Sequence, residues 1–303
     1  MAMRVATFGI SEQMIAAALR TQSTMANQQI QEASGLVSSD FAGYGSSTQQ
    51  ILNLQVSVTR SQSYIDAATQ ADSKIQVMYS TVSSVADLLT QFRSLLTGAS
   101  NVASTDTTSV TQSAQDMLEQ MAALLNTQYS GSYLFGGART TEAPVDIAST
   151  TYAAATSPST VDTSYYQGDQ EVASVRVSDS QTVSYGVLAN DTAFEQALRA
   201  MNLAANTSPL STDALNEALD LATSAVDAVG VVQSRISNAS SSIERASAFQ
   251  TEYQSFADTL GSSLTSVDVA AVTAQLSTYQ AQLTASYAAI SKVQSLNLAS
   301  YLH

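Results

Sequence analysis

The apolar residues Ile51, Leu54, Val58, Ile65, Ala68, Ile75, Tyr79 and Val82 recur in steps of three and four or their sum, with Ser61 and Asp72 as polar interruptions. Val85, Leu88, Phe92 and Leu95 continue the stripe. This spacing predicts one helix from about Thr48 to Thr97, stopped by Gly98, with a single apolar face. At ~1.5 Å per residue it would be about 75 Å long. A helix of that length cannot cover its own stripe, so the chain must supply partner helices along it.

Two segments are candidates. Val110, Met117, Met121, Leu124 and Leu125 define a second helix ending near Gly131, antiparallel to the first after a polar turn. Nearer the C-terminus, Leu219, Ala222, Val226, Val229, Ile236 and Ile243 form a matching stripe. Phe249, Tyr253, Phe256 and Leu260 extend it after a phase shift, up to a break at Gly261. Val272, Leu276, Tyr279, Leu283, Tyr287, Ile290 and Val293 then run almost to the end. At the other terminus, residues 10–35 read as a helix with fewer large apolar groups: Ile10, Met14, Leu19, Met25 and Ile30. Both end helices carry stripes too thin for a monomeric core, and copies of the same chain are their expected partners.

The middle differs. All three prolines, Pro144, Pro158 and Pro209, fall between residues 144 and 209. From Glu142 to Glu195 there are eight acidic residues against one basic residue, Arg176, a net −7 that is half of the chain's −14. Val172, Val175 and Val177 are interleaved with polar neighbours, and Thr182-Val183-Ser184-Tyr185 follows a polar turn, a strand-like texture. The fold class expected is therefore mainly α: a long antiparallel helical rod, coiled-coil-like, of N- and C-terminal helices with a small β-rich insert domain. Its expected parts are an N-terminal assembly helix and linker (1–47), the N-terminal half of the rod (48–137), a surface-exposed insert (138–208), the C-terminal half (209–262) and a C-terminal assembly helix (263–303).

Composition narrows the function. There is no Cys or Trp, and His303 is the single histidine, so Cys/His metal sites, disulfides and Ser-His-Asp or Cys-His catalysis have almost nothing to draw on. The net charge of −14 opposes nucleic-acid binding. No apolar run approaches the ~18 residues of a membrane span. The start, Met1 to Gln13, lacks a signal-peptide core.

The remaining chemical candidates are weak. Asp169 and Glu171 could pair for acid–base work, but nothing beside them would raise a pKa, and a solvated turn explains them. Gly131 to Gly137 has no following Lys-Ser/Thr and is no phosphate loop. Arg93 reads as an exposed cation or a partner contact. Asn190, Asn206 and Asn238 begin Asn-x-Ser/Thr triplets, a pattern too common to weigh. The thirteen tyrosines, many at helical core phases, read as packing groups. No catalytic, cofactor-binding or metal-binding residue is expected, nor any cofactor.

Three stretches carry a resemblance. Gly131-Ser-Tyr-Leu-Phe-Gly-Gly-Ala-Arg-Thr-Thr-Glu-Ala-Pro-Val145 resembles the turn that leaves the N-terminal helical region of bacterial flagellins. The segment from Tyr166-Gln-Gly-Asp169 through Val183-Ser-Tyr-Gly186 to Phe194 is similar to the short insert of hook–filament junction members. The C-terminal stretch from Gln275 to Leu302 resembles the family's Leu-rich end. Met3-Arg-Val-Ala-Thr7 is similar to the junction type. Ser34 to Gly45 lacks the Arg/Lys and paired Asp that main-filament members usually carry there. Of the family's Arg-Glu-Leu-Ala helix motif only Arg93 and Leu95 are matched.

The resemblance implies a structural subunit of the bacterial flagellum that serves swimming motility and self-assembles through its end helices. It leans to hook–filament junction protein, with main-filament flagellin as the alternative. A chemoreceptor-like signalling coiled coil is a distant one, since an insert interrupts the hairpin and Glu-rich adaptation segments are missing. The assembly interface is assigned to Ile10, Met14, Met25 and Ile30 with Leu276, Leu283, Ile290 and Leu296. The implied partners are copies of the chain in a helical assembly, neighbouring flagellar axial proteins and a flagellar export chaperone. The implied location is the extracellular flagellum, reached through the flagellar type III apparatus without a cleaved signal. A chain without Cys and nearly without Pro suits passage in an unfolded state.

Overall fold

A computed structural model describes residues 2–101, 108–207 and 209–295. In order along the chain these form α1 (Ala2–Ser34), a 3-10 segment (Phe41–Ser47), α2 (Thr48–Asn101), α3 (Thr108–Leu125), β1 (Gln128–Tyr129), β2 (Ser132–Tyr133), β3 (Ser174–Arg176), β4 (Thr182–Ser184), α4 (Thr192–Asn206), α5 (Thr212–Thr265) and α6 (Val269–Ser295). The chain is mainly helical with small β elements, as its periodicity predicts. It divides into two compact units, one of residues 1–59 with 254–303, the other of residues 60–253.

In the larger unit the apolar core of α2 includes Ala68, Ala71, Ile75, Met78, Val82, Val85, Leu89, Phe92 and Leu96, an alternation of three and four, with Leu88 also buried beside Leu89. Those of α5 are Ala214, Ala218, Ala222, Ala225, Val229, Val232, Ile236, Ala239 and Ile243, of nearly the same period. The two run antiparallel. Ser61 Oγ donates to Gln250 Oε1 at 3.0 Å, and Ser240 Oγ to Asp72 Oδ1 at 3.0 Å. Counting from these pairs sets Ile75 level with Ile236, Val82 with Val229 and Leu89 with Ala222. Three details differ from the sequence expectation. Phe249, Tyr253 and Phe256, expected to extend the α5 stripe, are exposed, and Gln250 holds the core position beside the first. Tyr79 is 44% exposed, and Met78, at 1%, holds the core position beside it. Gly98 and Gly261 interrupt neither helix. A single interior glycine costs only about 1 kcal/mol against alanine, too little to end a packed helix of 54 residues.

Against these helices α3 places Ala114, Leu118, Met121, Ala122 and Leu125, and it packs on α4. The segment expected to be β-rich holds strands of only three residues, β3 and β4, paired antiparallel with Val175 opposite Val183. Its largest element is α4, which the sequence reading missed. Asp191 caps it by accepting from Ala193 N, and its buried side includes Phe194, Ala197, Leu198 and Met201. Phe194 meets Phe135 edge-on at 6.0 Å between ring centres. The expected turn after the second helix is a tight hairpin, β1–β2, with Ser130 and Gly131 at φ 49° and 77°; glycine adopts that left-handed backbone without strain.

Buried tyrosines serve this insert rather than the helices. Tyr165 is fully buried and donates to Ala189 O at 3.1 Å. Burial pushes the Tyr152 and Tyr166 hydroxyls up to about 12. The loop from 149 to 165 is pinned by polar side chains of the helices. Asn202, 3% exposed, donates to Ala153 O and accepts from Ala155 N. Glu195, 2% exposed, accepts from Asp162 N and pairs with Arg199 at 3.0 Å. Glu217 accepts from both the amide and the hydroxyl of Ser159.

Candidate assembly interface

The smaller unit is built around α1 and α6. At the end of α1, Gly35 at φ 70° turns the chain, and its amide donates to Gln31 O at 2.8 Å. Val37 N then donates to Thr265 O at 2.8 Å and Val267 N to Gly35 O at 2.9 Å, a short antiparallel bridge between the two connecting loops. Asp268 starts α6 by accepting from Ala270 N and Ala271 N through Oδ1, so both helices leave the bridge in the same direction. Gln28 Nε2 donates to Gln275 Oε1 at 2.6 Å and Thr273 Oγ1 to Glu32 Oε1 at 2.8 Å, which fixes their antiparallel register.

Counting outward from those bonds sets Met25 level with Tyr279, Thr21 with Leu283, Ala18 with Ser286, Met14 with Ile290 and Ser11 with Val293. These same residues are the covered ones. Ala18 is 4% exposed, Val272 7% and Leu276 8%. Ser11, Met14, Thr21, Met25, Gln28, Tyr279, Leu283, Ser286, Ile290 and Val293 are half-buried. Both faces follow alternating steps of three and four, the geometry of a coiled-coil seam. On the α1 side it is filled largely by small or polar groups.

Of the residues assigned to assembly from the sequence, Met14, Met25, Leu276, Leu283 and Ile290 lie on this seam. Leu296 and the side chain of Ile10 fall outside the described residues. Ile30 does not join the seam. It stands five residues from Met25, about 140° around the helix at ~100° per residue, and is 56% exposed. Ile15 and Leu19 are 40% and 60% exposed, and all three lie within about 60° of one another around α1. Thus α1 presents two stripes: a thin one covered by α6 and a second that the chain leaves in solvent.

The other candidates have structural partners. Asp169 Oδ1 accepts from Ala138 N at 2.9 Å and Glu171 N at 3.0 Å, and these two bonds hold its carboxyl below its ordinary value. That is the reverse of what a general acid needs. Gly137, at φ 73°, lets the chain pass this carboxylate, since a Cβ there would stand 2.1 Å from Asp169 Oδ1. Arg93 is half-buried on α2. Among the described residues no helix is long and apolar enough to cross a membrane.

Residues 5–140 match the model of the bacterial flagellin N-terminal helical region. Over these residues the chain is similar to the flagellins. A solved structure described as a flagellar hook-associated protein from Vibrio parahaemolyticus superposes with a TM-score of 0.61 at 16% identity, covering 72% of this chain and 97% of its own. Two further solved structures align over most of their length. They are FlgL of Bacillus cereus (TM-score 0.42, 13% identity, 66% of this chain and 98% of its own) and hook-associated protein-3 of Legionella pneumophila (0.46, 14%, 71% and 97%). Among curated proteins none matches the sequence. The α1–α2 connection, α2, α3 and the β1–β2 hairpin all fall in the matched region.

Proposed function

We propose that this chain is a structural subunit of the bacterial flagellum, in the hook–filament junction role, and that it acts by assembly rather than catalysis. The carrying observation is the pair of stripes on α1. The covered stripe uses Ser11, Ala18, Thr21 and Gln28, so pairing with α6 buries little apolar area. The second stripe exposes Ile15, Leu19 and Ile30, and contact with further copies would remove it from water, at about 25 cal/mol per Å² of apolar surface. The interface proposed is Ile10, Met14, Met25 and Ile30 with Leu276, Leu283, Ile290 and Leu296, extended by Ile15 and Leu19. Export unfolded through the flagellar type III route, a dedicated export chaperone and neighbouring axial proteins as partners belong to the same reading. The junction role is supported by the missing basic, Asp-rich stretch between Ser34 and Gly45 and by the fold shared with the Vibrio protein.

Deletion of residues 264–303 tests it. The truncated chain is expected to keep the unit of residues 60–253 folded and to form no polymer. Electron micrographs showing ordinary assemblies from the truncation would overturn the reading. The full chain separates the two axial roles: a junction subunit forms short rings or caps on hooks, whereas long homopolymers would assign it to the main filament.

A further inference from the structure

The seam between α2 and α5 is apolar at every heptad layer from Leu89 and Ala222 to Ala68 and Ile243. One layer further it changes character. Ser61 stands seven residues from Ala68 and Gln250 seven from Ile243, both in core phase, and they are 3% and 7% exposed. Their side chains are hydrogen-bonded to each other. The second half of the Gln250 amide is taken by neither helix: Nε2 donates to Val177 O at 3.2 Å, at the end of β3.

The hairpin that supplies this carbonyl is tied to α2 from its other side. Asp179, in its turn, accepts from Tyr64 Oη at 2.8 Å and Arg60 at 3.0 Å. Arg176 reaches round the turn to the carbonyls of Ser178 and Asp179. Val177 itself is 1% exposed, and its amide donates to Gln181 O at 3.0 Å.

We infer that Gln250 is the register key of the α2/α5 pair and that the β3–β4 hairpin is the strap that keeps it seated. The repeats in the two helices do not select one alignment. A slip of seven residues would set Ile75 level with Ile243, Val82 with Ile236 and Leu89 with Val229, layers as apolar as the present ones. Apart from the part-buried Ser240–Asp72 bond, the fully buried polar layer is what distinguishes the two. After the slip Gln250 faces Ala68, Ser61 faces the buried Ala257, and the bond between them is lost. A single polar pair in an apolar seam selects register in this way in coiled coils, at a cost in stability. Here the key has three members, and the third lies on a short hairpin held by exposed groups, so the register is coupled to whether the hairpin is docked.

The chain contains no cysteine, so probes can be attached cleanly. With nitroxides on Gln70→Cys and Ser234→Cys in the full chain, about seven residues apart along the pair and about fourteen after the slip, pulsed electron–electron resonance should give one narrow distance. Gln250→Leu keeps the layer filled but removes both bonds, and is expected to add a second distance population. A heptad slip moves one helix about 10.5 Å along the other, at ~1.5 Å per residue. Asp179→Ala touches only the strap. It is expected to speed amide exchange at Val177 and Val183 and to raise the same second population to a smaller extent. Ser61→Ala provides a milder break of the key should Gln250→Leu not fold. A single unshifted distance in Gln250→Leu, or in Ser61→Ala where that variant stands in, would overturn the register key. Faster hairpin exchange in Asp179→Ala without any second population would overturn the strap.

Discussion

Truncating Leu276 to alanine is the sharpest test of the α1/α6 seam. Leu276 is 8% exposed and lies near Gln28 and Gln275, whose amides bond across the pair. Leucine-to-alanine changes at buried sites cost about 2–5 kcal/mol, less where the surroundings can collapse into the space. A two-helix seam with small groups on one side collapses more readily than a layered core, so about 2–3 kcal/mol is expected. At 1.4 kcal/mol per factor of ten, the opening equilibrium of α1 and α6 should rise about 30- to 150-fold. Native-state hydrogen exchange reads this element by element. Amides of α1 and α6 should lose protection by that factor, while those of α4 and of α5 near Val229 remain unchanged. Ile30→Ala is the control on the other stripe. Because Ile30 is 56% exposed, the free chain should lose no more than about 0.5 kcal/mol, whereas assembly should require a higher protein concentration. An equal loss of protection throughout the chain after Leu276→Ala would refute the reasoning, because the seam would then not be a separate, thinly held unit. Assembly by Ile30→Ala at the unaltered concentration would remove the second stripe from the interface.

Two more outcomes follow from the insert. Asn202→Ala leaves Ala153 O and Ala155 N without their bonds; at about 1 kcal/mol or somewhat more for each, denaturant unfolding of the larger unit should shift by about 2–3 kcal/mol, and a shift below about 0.5 would mean the loop is held by other groups. Hydrogen bonds from Tyr64 and then Arg60 hold the Asp179 carboxyl below its ordinary 3.8. The unfolded chain therefore binds more protons in that window, so the contribution of this cluster is complete above 3.8 and lost as pH falls through the depressed value. Carboxyl carbon resonances should show Asp179 titrating below 3.8, with Tyr64→Phe moving the midpoint back up; an Asp179 midpoint at the ordinary value would contradict the docked hairpin.

What the sequence made legible follows from where burial is one-sided. Along α2 and α5 a single face is covered, and the three–four period of apolar residues marks both helices, missing their run through Gly98 and Gly261, the place of Met78 instead of Tyr79, and the exposure of Phe249, Tyr253 and Phe256. Helix α4 is covered on most of its surface, with Glu195, Asn202, Phe194 and Met201 all inside. A polar residue buried on a near-continuous apolar stretch destroys the period, and only the cap at Asp191 remained to announce a helix. The clamps made by Asn202, Glu195 and Glu217 were invisible for a related reason. Each joins residues far apart in sequence, and nothing in the local pattern distinguishes a buried amide or carboxylate from a solvated one.

The end helices fail in a more informative way. A search for large apolar side chains groups Met14 and Met25 with Ile30, whereas the folded pair selects Ser11, Met14, Ala18, Thr21, Met25 and Gln28 for the covered face and leaves Ile15, Leu19 and Ile30 outside. In an isolated two-helix pair that choice is costly, because apolar area stays in water while small and polar groups are enclosed. The arrangement stops being costly once a second surface covers Ile15, Leu19 and Ile30. Small groups on the inner face then let α6 approach closely, and the larger ones contact the neighbour. Under the assembly proposed here, the stripe read from sequence is a composite of two interfaces, one within the chain and one between copies. The position that departs from the folded seam, Ile30, is therefore the one at which a substitution separates assembly from folding.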